Sequence, residues 1–66
     1  MKVFKRYRYV VRDASGVIAR LYRNAPTDYM AKIRGKFLKR EYLFECRVDI
    51  SRMDISIGQY VNFYTL

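Results

Sequence analysis

Apolar and polar residues alternate from the start of the chain. Across Val3 to Val11, Val3, Tyr7, Tyr9 and Val11 take one parity, and Phe4, Arg6, Arg8, Val10 and Arg12 the other. A period of two over this length predicts a β-strand. Asp13-Ala14-Ser15-Gly16 has turn chemistry. Alternation then resumes from Val17 to Arg23, with Val17, Ala19 and Leu21 against Ile18, Arg20 and Tyr22. The length of the turn decides which faces meet. A two-residue turn sets Val11 opposite Ile18 and mixes the faces. A three-residue loop, Ala14-Ser15-Gly16, pairs Asp13 with Val17, Val11 with Ala19 and Tyr9 with Leu21, and Gly16 supplies the positive φ that such loops need. Both strands then sort. One face holds Tyr7, Tyr9, Val11, Val17, Ala19 and Leu21. The other holds Phe4, Arg6, Arg8, Val10, Arg12, Ile18, Arg20 and Tyr22.

Asn24-Ala25-Pro26-Thr27 interrupts the second strand. Thr27 is a candidate N-cap, and Asp28 suits the positive end of a helix dipole. From Asp28 to about Arg40 the apolar residues Tyr29, Met30, Ile33 and Phe37 recur at helical spacing and predict the buried face. Lys32, Lys36 and Lys39 fall opposite, and Gly35 is read as outward-facing at a cost of about 1 kcal/mol relative to Ala. Beyond the helix, Phe44, Cys46, Val48 and Ile50 alternate with Glu45, Arg47 and Asp49, predicting a strand over Tyr42 to Ile50. A last strand is expected from about Ile55 to Tyr64. A turn at Ser51-Arg52-Met53-Asp54 pairs Ile50 with Ile55, Val48 with Ile57 and Phe44 with Val61. Gly58 marks a bulge or bend.

Strand, strand, helix, strand, strand predicts an α+β fold: a four-stranded, mostly antiparallel sheet with one helix packed on its apolar face. Ile33 and Phe37 are expected to meet Tyr9, Leu21, Phe44, Val48 and Ile57. Nothing in the chain is left to cover the second face. The chain begins at Met1 and is read as one small gene product with a single domain, 1–66. A chain of this size hides only about 60% of its unfolded surface, so its core is thin.

Composition sharpens this picture. With 52% hydrophobic and 17% aromatic residues the chain is no disordered basic tail. Its net charge of +8 is unevenly spread. Residues 1–40 carry 12 Lys and Arg against Asp13 and Asp28, a balance of +10. Residues 41–66 carry Arg47 and Arg52 against Glu41, Glu45, Asp49 and Asp54, a balance of −2. The first two thirds therefore favour an anionic partner. Cys46 is the only cysteine, which fits a reducing, cytoplasmic setting. Lys5, Arg6 and Arg8 interrupt any signal-like apolar run, and no stretch approaches a membrane span, so no membrane partner is expected.

Enzymatic chemistry finds little support. The chain has no histidine, hence neither the commonest general base nor the commonest zinc ligand. Glu45 and Asp49 share a strand face but lie about 13 Å apart at the usual rise, too far to share a proton or a metal ion. Cys46 points toward the expected core, where a thiol is inert packing. Gly16, Gly35 and Gly58 are isolated and form no nucleotide-binding pattern. The reading is a non-enzymatic protein without cofactor or metal.

The arginine face is the informative feature. Arg6, Arg8, Arg12 and Arg20 project from neighbouring strands, interleaved with Phe4, Val10, Ile18 and Tyr22. Guanidinium groups match phosphate oxygens, and aromatic rings beside them stack on unpaired bases. Phe4 and Tyr22 are the candidate stacking residues. Lys32, Lys36 and Lys39 form a second candidate patch for a phosphate backbone. It lies on the opposite side of the sheet, so both patches cannot grip one short straight duplex. Tyr60 and Tyr64 are expected on the outer face with Glu45 and Asp49. The function expected is binding of nucleic acid, DNA or RNA. The alternative is a protein-interaction module: a homodimer, or a small inhibitor or adaptor on an acidic partner, of the kind viruses and mobile elements encode.

Overall fold

A computed structural model describes residues 4–42 and 46–66. The elements are β1 (Lys5–Asp13), β2 (Gly16–Ala25), α1 (Asp28–Glu41), β3 (Arg47–Asp54) and β4 (Gln59–Thr65). All strand pairs are antiparallel, in the order β2-β1-β3-β4. The ββαββ fold with α1 on one face is the expected one. The contacts expected of Phe44, and the placements of Val3 and Glu45, lie outside the described residues.

From Ala19 onward the first hairpin sorts its faces as expected, but at its tip Val17 falls opposite Arg12, on the outer face and not on the inner one. Val11 pairs with Ala19 and Tyr9 with Leu21, but Asp13 pairs with Gly16 across a two-residue turn. Arg12 then pairs with Val17, and the register passes over Ile18. This bulge absorbs the residue that the sequence reading assigned to the loop. Gly16 has φ 118°, a left-handed conformation that favours glycine. Asp13 Oδ1 holds the tip by accepting from Ser15 N and Ser15 Oγ, both at 2.8 Å.

The core lies between α1 and the inner face of the sheet. Tyr7, Tyr9, Val11, Ala25, Ala31, Val48 and Ile50 are buried there, and Cys46 packs at its edge. Tyr7 and Tyr9 decide how the helix sits. Buried hydroxyls need partners, and both find them on α1: Tyr9 Oη donates to the Ala31 carbonyl (3.0 Å) and Tyr7 Oη to Asp28 Oδ1 (2.5 Å). To come this close, α1 presents its small residues. Ala31 and Gly35 are its buried positions, with Leu38 and Tyr42 packed beside them.

The expected helix face is therefore wrong by about half a turn. Tyr29, Met30 and Phe37 are 71%, 41% and 60% exposed. Gly35 faces inward, and Phe37 borders a groove with Tyr9 and Leu21 instead of filling the core. The expected cap is present: Thr27 Oγ1 accepts from Met30 N at 3.2 Å. Asp28, in the first turn, also accepts from Arg52 of β3, so one carboxylate ties the helix start to two strands.

The second hairpin turns four residues later than expected. β3 continues to Asp54, and Ile55-Ser56-Ile57-Gly58 forms the turn. Asp54 Oδ1 accepts from Ser56 N (3.0 Å) and Ser56 Oγ (2.6 Å), and Gly58 has φ 67°. Ile50 pairs with Tyr64 and Met53 with Tyr60, replacing the expected Ile50–Ile55 and Val48–Ile57 pairs. Ile55 and Ile57 are exposed. A bulge passes over Phe63. It reverses the parity of the last residues of β4, so Tyr64 faces α1 while Tyr60 keeps the outer face. The expectation that both tyrosines face outward fails for that reason.

Candidate nucleic-acid interface

The outer face is built by strand parity. Directly paired residues of antiparallel strands share a face. Tyr22 pairs with Arg8, which pairs with Ser51, which pairs with Asn62. The next row joins Arg20, Val10 and Asp49, and ends at Thr65. Arg12 pairs with Arg47, and Arg6 with Asn24. Arg6, Arg8, Arg12 and Arg20 thus share the side that α1 leaves bare. Arg47 of β3 joins them.

The centre of this face is closed by its own side chains. Val10, Asp49 and Ser51 are buried although the one helix among the described residues lies on the other face. Val10 is consequently not an exposed apolar residue between arginines, as the sequence reading had it. Phe4, Ile18 and Tyr22 are exposed.

Asp49 holds two of the arginines, Arg12 and Arg47. It is 7% exposed and accepts from Arg12 Nε (2.9 Å), Arg47 Nε (3.1 Å) and Thr65 Oγ1 (2.9 Å). Burial pushes its carboxyl pKa up. The hydrogen bonds from Thr65, Arg47 and Arg12 outweigh burial and hold it below the usual carboxylate value. Both arginines are engaged through Nε, which leaves their terminal nitrogens for another acceptor. Each of these arginine side chains is about half exposed or more.

Two rings from opposite edges meet above Arg8. At the usual strand spacing β2 and β4 are about 14 Å apart, yet the rings of Tyr22 and Tyr60 approach to 5.7 Å between centroids. Both lean inward over the strands between them. The Arg8 guanidinium carbon lies 5.0 Å from the Tyr60 ring centroid, a cation–π contact. Arg8 Nε is buried there without a hydrogen-bond partner. On either side of this bridge the surface is hollowed. One hollow of about 250 Å³ is lined by Arg8, Arg12, Arg47, Asp49 and Asn62 among others. The other, of about 570 Å³, is lined by Arg6, Tyr22, Arg23, Asn24 and Tyr60.

The helix lysines do not join this site. Lys32 is half-buried with Nζ 4.5 Å from the Tyr64 ring centroid, Lys39 is half-buried, and Lys36 is exposed. All three belong to the covered side of the sheet. Sequence reasoning missed Arg47, Asn62 and the Asp49 clamp, because Arg47 and Asp49 join the arginines through the β1–β3 pairing, and Asn62 and Thr65 through the true β3–β4 register.

Among the described residues no group of three or more His, Cys, Asp or Glu side chains could hold a metal ion, and no helix is long and apolar enough to cross a membrane. No protein-family model, curated protein or solved structure matches the chain.

Proposed function

We propose that this protein binds nucleic acid without catalysis, through the outer face of its sheet. The observation that carries the reading is that Arg6, Arg8, Arg12, Arg20 and Arg47 share the face the helix does not use, with Asp49 holding two of them, Arg12 and Arg47. The clamp on Arg12 and Arg47 supports it. Side chains already held in place lose less rotamer freedom when they take up a phosphate. The rings of Tyr22 and Tyr60 add a stacking surface at the middle of the same face.

Single strands suit this surface best. A paired duplex hides its base faces, whereas an unpaired strand offers phosphates to the arginines and bases to the tyrosines. DNA and RNA both meet this description. Purification at low and then high salt tests the reading. Nucleic acid should accompany the protein at low salt and leave at high salt, as counterion release requires. A protein free of nucleic acid throughout speaks against it.

A further inference from the structure

The large apolar side chains of α1 form a surface that nothing in the described chain covers. Tyr29, Met30 and Phe37 are exposed, with Ile33 half-buried among them. At about 100° per residue these four fall within an arc of about 100°, opposite the small residues Ala31 and Gly35. The usual arrangement of an amphipathic helix is thus inverted. The helix cannot roll to hide the stripe. Gly35 is wedged against Ile50 and Leu66, and Asp28 is bonded to Tyr7 and Arg52. Contiguous exposed apolar surface of this kind marks an interaction site.

The surroundings of the stripe say what fits it. Arg34 flanks one side, Lys36 the other, and Arg40 lies at its C-terminal end, all exposed. Between α1 and β2 a groove of about 340 Å³ runs past Tyr9, Leu21, Phe37 and Leu38, and Arg23 and Arg34 face it against the single carboxylate of Glu41. A second copy would bring the same cations to this rim and be repelled. A bilayer surface is broad and soft and leaves a groove of this shape unfilled. An apolar stripe offers phosphates nothing. We propose that the outward face of α1 docks an acidic amphipathic helix of another protein, with an apolar side chain in the α1–β2 groove and carboxylates on Arg23, Arg34 and Lys36. Helix-on-groove recognition works in this way. The arginine face of the sheet stays free on the other side.

The probe is a synthetic fluorescein-labelled peptide with leucines on one helical face and glutamates on the other, measured by anisotropy. A scrambled peptide of the same composition is the control. The amphipathic peptide is expected to bind and the scrambled one to bind far more weakly. Phe37→Ser and Arg34→Glu should each weaken binding about tenfold. Both positions are exposed, and circular dichroism verifies that the variants fold. Oligonucleotide affinity, measured on Phe37→Ser in parallel, should not change, which separates this surface from the sheet face. Three results overturn the proposal: no binding of the amphipathic peptide, equal binding of the scrambled peptide, or a preference for vesicles containing anionic phospholipid. Sedimentation as a dimer that Phe37→Ser dissociates assigns the stripe to self-association and overturns it too.

Discussion

Gly35 of α1 and Ile50 of β3 leave no room between them: a methyl group on Gly35 would lie 2.5 Å from Ile50 Cδ1 and 3.1 Å from Leu66 Cδ1. Ile50 is fully buried and cannot swing aside freely. Gly35→Ala gains about 1 kcal/mol of helix propensity but overpacks this contact, at about 1–3 kcal/mol. The net expectation is a loss of stability in urea unfolding. Ile50→Val removes the Cδ1 atom in conflict. In that background Gly35→Ala is expected to turn neutral or stabilising, and the double-mutant cycle measures the coupling. Additive effects would mean that α1 does not sit on β3 through Gly35.

The Tyr7–Asp28–Arg52 cluster makes stability depend on pH. The hydrogen bond from Tyr7 is the largest influence on the Asp28 carboxyl. It and Arg52 outweigh the opposing effect of burial and hold the pKa below its usual value. In turn burial, then the bond to Asp28, pushes the Tyr7 hydroxyl far above its ordinary range. A carboxyl depressed on folding stabilises above its unfolded pKa of about 3.9, and that contribution is lost as pH falls through the folded value. Asp28→Asn is therefore expected to cost about 1 kcal/mol at neutral pH, a figure kept small because the carboxylate is partly exposed. The difference from wild type should vanish in acid. Urea midpoints taken across the acid limb check this. A constant difference at all pH values would show that the charge of Asp28 is not what matters.

Asp49 should behave in the same direction, with more at stake. It is nearly buried and serves Arg12, Arg47 and Thr65 at once. Asp49→Ala is expected to lower stability by about 1–3 kcal/mol, since it leaves Thr65 and two guanidinium groups without their acceptor. Thr65→Val removes one of the three bonds and should cost about 1 kcal/mol. Chemical denaturation of both variants tests the ordering.

Tyr22 is 51% exposed, so its removal should affect binding rather than folding. Tyr22→Ala is expected to weaken single-stranded oligonucleotide binding by about 1–3 kcal/mol, the usual worth of one stacked base. Tyr22→Phe keeps the ring and should bind nearly as the parent does. Equal losses in both variants would point to the hydroxyl and away from stacking.

Much of this arrangement was legible in the sequence, and the failures have physical causes. The alternation of arginines with Tyr7, Tyr9 and Val11 sorts β1, and β2 from Ala19 onward, because strand parity is stiff; the bulge at Ile18 breaks that parity only at the tip, where Val17 falls opposite Arg12. The helix face was misread because large apolar residues were assumed to be buried. The signal available was the pair Tyr7 and Tyr9: two inward tyrosines bring hydroxyls that need backbone or acidic partners, and small residues such as Ala31 and Gly35 let a helix approach them. The second turn was also written in the chain. Asp54-Ile55-Ser56 repeats the Asp13-Ala14-Ser15 pattern, and both aspartates accept from the serine two positions on. Tyr64 could not be placed by parity, since the bulge at Phe63 reverses it. The Asp49 clamp joins β1, β3 and β4, and such a long-range meeting has no local signature.

Whether the outer sheet face holds nucleic acid is decided by the salt-dependent binding of a labelled single-stranded oligonucleotide, wild type against Arg6→Ala with Arg20→Ala. Both residues are exposed on the outer face, and no described hydrogen bond or ion pair of the fold involves their side chains. Wild-type affinity should fall linearly on a log–log plot against salt, with a slope of about −0.7 per phosphate neutralised. The double variant should bind more weakly, with a slope shallower by about 1.4 if each arginine holds one phosphate. An oligonucleotide that fails to bind at low salt, or a double variant that matches wild type in affinity and slope, would contradict the account.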